Sequence, residues 1–336
     1  RGQGPGERGS EAADDGDHGL ERTRSGGCAG GHDASHGRLA RLDVRYDPMN
    51  RLTLPLAAVL LMLAAVPATA QDVVPKIIPV LASSEIAQGP NRFLFSLTDP
   101  AGALLASPDV SVRLEFFDGQ ADPDEVVFEA DARFLWAIED LRGLYAVDVE
   151  FTSPGRWGTR FYATFPDGRT ETVRVDYDVR EETSTPPIGA PAPLIDTPTA
   201  EDVGGDISRI SSDPDPVPRF YELSILDAIE DDKPAVIAFV TPAFCQTATC
   251  GPTIEKVKEV ATSHPSDVNF VHVEPYLMWV KDGYLQPYLS EEGQLQSAPW
   301  TERFGLRTEP YVIVIDGDGV VRAKFEGAIT VDELED

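Results

Sequence analysis

The sequence predicts two domains, an N-terminal antiparallel β-sandwich and a C-terminal α/β domain. Short runs of alternating apolar and polar residues, separated by turn residues, indicate a sandwich over 72–182. A stretch rich in Pro, Thr and small residues over 183–205 indicates a semi-extended linker. The unbroken apolar run over 235–240 is followed by a helical pattern, which is typical of a strand buried on both faces of an α/β sheet. We therefore expect the α/β domain to occupy 206–336.

The first 70 residues are unlike the rest of the chain. Residues 1–48 are rich in Gly, Arg and Asp and lack apolar periodicity, so we expect an untranslated or disordered leader. A short basic segment then begins at Met49, an apolar stretch covers 52–66, and small residues end at Ala70. This is the pattern of a secretory signal peptide over 49–70. We expect translation to start at Met49 and cleavage to follow Ala70, with an uncleaved membrane anchor as the alternative.

Export and charge limit the partners that we expect. An exported chain reaches an oxidising compartment, in which the pair Cys245 and Cys250 can persist as a disulfide. We expect a periplasmic, extracellular or cell-surface location. The net charge of −29 argues against nucleic acid as a partner and against an anionic membrane, unless the signal segment stays attached.

The sandwich prediction rests on six alternating runs with almost no helical periodicity. They cover 91–95, 110–116, 125–130, 144–151, 158–165 and 171–179. Trp136 and Trp157 are the candidate core aromatics. The Gly-Leu-Tyr sequence ending at Tyr145 resembles the tyrosine corner of immunoglobulin-like domains, and the later Pro-Gly-Arg-Trp resembles small exported sandwiches of the YtkA type. The resemblance implies an immunoglobulin-like fold, from which no chemistry follows.

In the C-terminal domain, Ser224 is a good N-cap for a short helix. After the strand over 235–240, Pro252 suits a first helical position, and an apolar stripe predicts a helix from there to about Ser263. Another buried strand follows over 268–274. Strand, helix and strand together predict a right-handed βαβ unit.

That unit places Glu274 and Tyr276 beside the loop that carries the cysteines. The insert over 277–302 follows them. Its aromatic residues either form the wall of a groove over the site or only pack the insert itself. They are Trp279, Tyr284, Tyr288 and Trp300.

The two cysteines follow the buried strand. Cys250 is expected just before a helix N-terminus, where unpaired N–H groups favour a thiolate and lower the cysteine pKa. Residues i and i+5 of a regular helix have Cα atoms about 8.7 Å apart, beyond the roughly 7 Å limit for a disulfide. We therefore expect Cys245 to lie on a loop.

The segment over roughly 210–336 resembles the thioredoxin superfamily. It has a buried strand, then an exposed cysteine, a second cysteine and a Gly-Pro pair that begins a helix. The Thr-Glu-Pro-Tyr sequence over 308–311 resembles the cis-proline loop of that family. The resemblance implies a cis-proline facing the cysteines and a substrate groove, with Glu274 and Tyr276 behind it. The groove residues would be Phe244, Pro252, Thr308 and Pro310.

The spacing departs from the family, because four residues separate the cysteines in place of two. By distance from the strand, Cys245 matches the family's nucleophile, whereas the Cys-Gly-Pro-Thr sequence starting at Cys250 matches its motif. Both alignments stay open, and we favour Cys245. We expect an exported thiol–disulfide oxidoreductase without cofactor or metal, whose partners are protein thiols and disulfides or a membrane redox partner.

Three alternatives remain. A structural disulfide closing a six-residue loop would stabilise the fold by only about 2 kcal/mol, which favours exchange over a structural role. A peroxiredoxin-like peroxidase would use Cys245 on peroxide and Cys250 to resolve, with Thr241 and either Arg303 or Arg307 as partners. A copper-handling protein resembling the Sco type would use both cysteines. Proteins of that type carry a histidine in a loop much farther along the chain, and no such histidine is found here; the strand residue His272 is typical of a core histidine.

The last predicted helix begins at Val331 and covers under two turns within the sequence, too few for stability alone. The thioredoxin resemblance implies a longer closing helix, so we expect the natural helix to continue past Asp336.

The signal-peptide assignment predicts the N-terminus of the exported protein. We expect Gln71 as its first residue, because only there does a basic segment precede an apolar stretch and a small-residue cleavage site. N-terminal sequencing of the exported protein measures this. Recovery of any peptide from residues 1–48 would contradict the assignment.

Overall fold

The structure is a computed structural model that describes residues 76–336, so the predicted leader and signal peptide lie outside the described residues. In the first half, eight strands form two four-stranded antiparallel sheets packed as a β-sandwich, which confirms the predicted sandwich class. One sheet has the order β1-β2-β6-β5 and the other β4-β3-β7-β8. The strands are β1 (Ile78–Leu81), β2 (Gly89–Thr98), β3 (Ser111–Asp118), β4 (Val126–Asp131), β5 (Arg133–Ile138), β6 (Arg142–Phe151), β7 (Gly155–Thr164) and β8 (Thr170–Val179). Of these, β1 and β5 were not predicted.

Aromatic side chains from both sheets form the core of the sandwich. Phe95 of β2 meets Phe161 of β7 edge to face, with ring centroids 5.0 Å apart. The buried Tyr145 hydroxyl donates to the Val110 carbonyl at 2.8 Å, and burial raises the pKa of this phenol to about 12. Trp157 is buried as predicted, but Trp136 is only half-buried, because its position on β5 places it outside this core.

The second half is built around a mixed sheet of order β10-β9-β13-β14. Strand β10 is parallel to β9, whereas β13 is antiparallel to both β9 and β14. Two 3₁₀ helices, Ile207–Arg209 and Pro218–Tyr221, precede the sheet. The remaining elements are α1 (Ile225–Glu230), β9 (Ala235–Phe239), α2 (Cys250–Ser263), β10 (Asn269–Val273), β11 (Met278–Lys281), β12 (Tyr284–Pro287), α3 (Pro299–Arg303), β13 (Tyr311–Ile315), β14 (Val321–Glu326) and α4 (Val331–Glu335).

Strand β9 is the centre of this half, and all five of its residues are buried. Ile237 and Phe239 face a core shared with α1, whereas Val236 and Ala238 face a second core shared with α2. Cover on both faces explains why its sequence is continuously apolar, with no alternation. The longest described helix is α2, with 14 residues, and no described helix is both long and apolar enough to cross a membrane.

The Pro-rich segment over 183–205 contains no named helix or strand but is packed in place. Its Gly189 and Ala192 N–H groups donate to the carbonyls of Val321 and Gly319, each at 2.8 Å, and Ala190 accepts from the Val321 N–H. These bonds pair the backbone of Val321, the first residue of β14, and of the turn before it, so the segment is attached to the start of that edge strand.

The outer face of the sandwich packs against the chain that follows β14. Arg92 donates to the Ala328 carbonyl at 2.7 Å and to the Glu333 carboxylate at 2.8 Å, and both charged side chains are less than a tenth exposed. Lys256 of α2 donates to the carbonyls of Trp136 and Ile329. A small apolar cluster completes this contact, formed by Leu94, Leu135, Ala137, Leu144, Ala146 and Ala328.

The buried Arg92–Glu333 pair predicts a large effect from a small change. We expect Glu333→Gln to lower the free energy of unfolding by about 3 kcal/mol, because it leaves the Arg92 guanidinium buried without its anion. The amide oxygen can still accept the Thr330 N–H bond that caps α4. Urea unfolding measures the change.

The control is Asp332→Asn, which also replaces a carboxylate of α4 by an amide, but at an exposed position. It should leave the free energy of unfolding unaltered. Equal stability of Glu333→Gln and the wild type would show that the pair does not hold this contact together.

Candidate functional site

The candidate site lies on the loop between β9 and α2. Cys245 is on this loop, as the spacing requires, and its side chain is half-buried. Cys250 is fully buried. The helix was predicted to begin at Pro252, but α2 begins at Cys250, so this cysteine is its first residue. The loop turns through a left-handed Ala248, with φ 63°, and the Thr253 N–H reaches the Thr249 carbonyl.

The sulfur of Cys245 occupies the N-terminal end of α2. The Cys250 N–H donates to it at 3.2 Å, and the Thr247 hydroxyl lies 3.4 Å away. Thr249, at the N-cap position, makes no side-chain capping bond. The Cys245 sulfur therefore satisfies one of the free N–H groups that every helix start presents.

The two sulfurs differ in their acidity. The pKa of Cys245 is lowered to about 5, first because the Cys250 thiol donates to its sulfur, and further by Thr247 and the Cys250 N–H, against the effect of burial. The pKa of Cys250 is raised, since its proton is held by Cys245 and its side chain is buried. The sequence predicted a lowered pKa for Cys250, which is wrong, because the Cys250 proton is held by Cys245, its side chain is buried, and the helix N–H group is directed at the Cys245 sulfur.

A buried carboxyl group completes the cluster. One oxygen of Glu309 and the sulfurs of Cys245 and Cys250 all lie within 4.8 Å of one another. Glu309 accepts the Gln246 N–H at 2.8 Å and the Tyr276 hydroxyl at 2.6 Å. Sequence reasoning missed Glu309 as a site residue, although an acidic residue directly before the proposed groove proline was a usable signal.

The predicted groove residues separate in the structure. The Glu309–Pro310 bond is cis and Pro310 is buried. Thr308 donates to Glu326 at 2.8 Å and lines a cleft of about 200 Å³ beside the cysteine loop. Phe244 and Pro252 do not line this cleft. Pro252 lies instead in a larger groove between α2 and Trp136 of the sandwich.

Tyr276 and Glu274 both follow β10 but have different surroundings. Tyr276 bonds to Glu309 and so contacts the cluster, and burial together with this carboxylate raises its pKa. Glu274 accepts the Ser212 N–H at 2.6 Å, while its second oxygen has no hydrogen-bond partner among the described residues. Burial raises the pKa of Glu274 to about 7.

The other chemically notable residues have structural surroundings. The ring nitrogens of the buried His272 bond to the Tyr221 hydroxyl and the Val240 carbonyl, so neither is free to ligate copper. Trp300 donates to the Glu274 carbonyl and packs against the core, as the packing interpretation of the insert expects. Trp279 stacks on Tyr288 with centroids 5.4 Å apart, on an exposed hairpin.

Comparisons with known proteins yield little. No family model matches the chain, and no curated protein matches it. Among solved structures, the crystal structure of the PmoD soluble domain from Methylocystis sp. (Rockwell) matches at 18% identity and a TM-score of 0.21, covering 31% of this chain and 90% of that chain. A TM-score this low assigns neither a fold nor a function.

The surroundings of Glu274 predict how stability depends on pH. Its folded pKa of about 7 exceeds the ordinary 4.5, so folding favours the neutral acid. The resulting stabilisation is complete below pH 4.5 and is lost as the pH rises towards 7. The nearby Asp213, which is paired with Lys258, adds to the shift. We expect Glu274→Gln to be more stable than the wild type at pH 8, by roughly 3 kcal/mol, and to show no gain at pH 4.

Urea unfolding at pH 4, 6 and 8 measures this difference. The exposed Glu302→Gln in α3 is the control, for which we expect no pH-dependent change. A gain that is the same at all three pH values would contradict the assignment of the pH effect to Glu274.

Proposed function

We propose that the protein is an exported thiol–disulfide oxidoreductase in which Cys245 attacks and Cys250 resolves. The observation that carries the proposal is the placement of two free thiols at the end of a buried central strand, with sulfurs within 4.8 Å of each other. One is half-exposed and the other is buried. A substrate sulfur can therefore approach Cys245, while Cys250 waits close enough to react with it.

The reaction follows from this placement. The Cys245 thiolate attacks one sulfur of a substrate disulfide, which forms a mixed disulfide and releases the other substrate sulfur as a thiolate. Cys250 then loses its proton to solvent and attacks the Cys245 sulfur. The Cys245–Cys250 disulfide forms and the second substrate thiolate leaves. The enzyme has given two electrons to the substrate, and the reverse sequence oxidises a dithiol.

The loop supports the assignment of Cys245 as the nucleophile. The Cys250 N–H and the Thr247 hydroxyl are placed to stabilise negative charge on Cys245 without moving. Charge stabilisation by fixed donors costs no rearrangement during the reaction. Access to Cys250 is blocked by burial, which makes it suited to an intramolecular step only.

We also propose that the C-terminal half is a thioredoxin-like domain and the N-terminal half an immunoglobulin-like one. For the first, the support is a mixed sheet of order β10-β9-β13-β14 with α2 directly after β9. For the second, the support is the buried Tyr145, whose hydroxyl bonds upstream to the Ser107 and Val110 carbonyls. Protein thiols and disulfides are the substrates that a half-exposed sulfur beside an open cleft favours.

The geometry disfavours a peroxidase. Such an enzyme needs a guanidinium group against the attacking thiolate, but Arg307 bonds to Glu85 and Ser184, and Arg303 is exposed at the end of α3. Thr241 is fully buried at the end of β9. None of the three is bonded to Cys245.

The redox proposal predicts opposite behaviour of the two cysteine variants. With insulin as a model disulfide substrate, we expect Cys250→Ser to accumulate a mixed disulfide, because the resolving thiol is gone. Cys245→Ser should accumulate none and should react slowly with iodoacetamide at pH 7, since its remaining thiol is buried. Mass spectrometry and non-reducing electrophoresis detect the adduct.

The wild type, assayed with dithiothreitol, should turn over without accumulating the adduct. The reverse trapping pattern would exchange the two roles. Full insulin reduction by both variants would reject the proposed function.

A further inference from the structure

The cluster of Cys245, Cys250 and Glu309 has a composition that thiol–disulfide exchange does not require. Exchange uses two sulfurs, yet a carboxyl oxygen of Glu309 lies within 4.8 Å of both. The Glu309 side chain reaches this place from the loop before β13, whereas the cysteines belong to the loop after β9 and to the first residue of α2. Two separate segments of the chain thus deliver three ligand atoms to one point.

Hydrogen bonds fix the orientation of the Glu309 carboxyl group, as they do for carboxylates that bind metals. It is only 5% exposed, and its two oxygens accept separate bonds from the Gln246 N–H and the Tyr276 hydroxyl. Such supporting bonds orient a ligating carboxylate and leave each oxygen with lone pairs free. The carboxyl group therefore does not need to reorient to bind an ion.

The site also lacks a positive partner. Among residues 76–336, Glu309 forms an ion pair with no Lys, Arg or His side chain. Arg142, from the sandwich, reaches only the Thr247 carbonyl, at 3.4 Å. A buried carboxylate without a counter-charge is costly, and a bound cation supplies the missing charge.

We propose that the reduced protein binds one Zn²⁺ through the sulfurs of Cys245 and Cys250 and a carboxylate oxygen of Glu309. Binding transfers no electrons, and the remaining thiol protons pass to solvent as the thiolates coordinate. Three protein ligands leave the fourth position of a tetrahedral zinc for a water molecule. The proposal needs only reduced cysteines and does not depend on the proposed redox reaction.

The dimensions suit this ion. A tetrahedral zinc with Zn–S near 2.3 Å and Zn–O near 2.0 Å separates its ligand atoms by about 3.5 to 3.8 Å. The three atoms here, all within 4.8 Å of one another, need to contract by at most about 1.0 to 1.3 Å. Two soft sulfurs with one hard oxygen favour Zn²⁺ over Cu⁺, which prefers sulfur ligands alone.

Zinc binding and disulfide formation use the same sulfurs, so they exclude each other. The ion would protect the reduced pair from oxidation, and oxidation would release the ion. The consequence is a direct thermodynamic link between the zinc concentration and the reduction potential of the pair.

Metal titration of the full exported protein tests the proposal. Reduced, metal-free protein is titrated anaerobically with Co²⁺, whose thiolate charge-transfer and tetrahedral bands report the ligands, and Zn²⁺ then displaces it in competition with a chromophoric chelator. We expect one ion per chain, and X-ray absorption of the zinc form should show two sulfur ligands and at least one oxygen. Glu309→Gln should weaken Zn²⁺ binding at least tenfold. The oxidised protein, in which Cys245 and Cys250 form a disulfide, should bind no Zn²⁺.

Glu326→Gln is the matched control, because Glu326 lines the same cleft but lies outside the cluster. It should bind Zn²⁺ like the wild type. Thermal unfolding of the metal-free variants shows whether each is folded, and Glu309→Asp, which keeps the carboxylate, should bind more tightly than Glu309→Gln. Wild-type affinity in Glu309→Gln, no uptake by the reduced wild type, or uptake of Cu⁺ but not Zn²⁺ would each overturn the proposal. None of these outcomes alters the insulin result.

Discussion

Burial of β9 on both faces determines the position of the candidate site. Its five residues divide between two cores, so the strand cannot shift along its axis without exposing apolar side chains on both sides. The chain leaves the sheet at Val240, and α2 must return across the face that contains Val236 and Ala238. The first turn of α2 therefore comes to rest beside the loop, and the Cys250 N–H meets the Cys245 sulfur.

Two buried acidic residues near the site have opposite surroundings, and this difference separates their roles. Glu309 has donors for both oxygens and contacts the cysteine cluster. Glu274 has one donor and one oxygen without a partner among the described residues, and burial raises its pKa. The first is therefore suited to receive a positive charge, whereas the second is kept neutral over much of the pH range. The βαβ pattern pointed to Glu274, since it follows a strand adjacent to β9, but the pairing of β13 with β9 brings Glu309 within 4.8 Å of both sulfurs.

Elements defined by periodicity were predictable, and those defined by distant contacts were not. The apolar run of β9 and the apolar stripe of α2 are visible in the sequence of each element alone, so their burial could be predicted. Strand β1 is four residues long, and β5 lies partly on the contact with the second half, so neither shows a clean alternation. The start of α2 was misplaced by two residues, since its first N–H group is satisfied by a sulfur five residues away and no side-chain cap marks it.

The sandwich also forms part of the cleft beside the cysteine loop. Ala137 and Leu144 from its outer face line one wall of the cleft, and Thr308 and Glu309 line the other. At about 200 Å³ the cleft is smaller than the roughly 300 Å³ at which pockets for small-molecule ligands begin. Thr247 and Thr249 of the cysteine loop also line it, so a group bound in the cleft would lie beside the loop that carries Cys245. The apolar residues of this wall belong to the cluster that joins the two halves, and the buried Arg92–Glu333 pair lies at the same contact, so the packing between the halves also forms the cleft beside the cysteine loop.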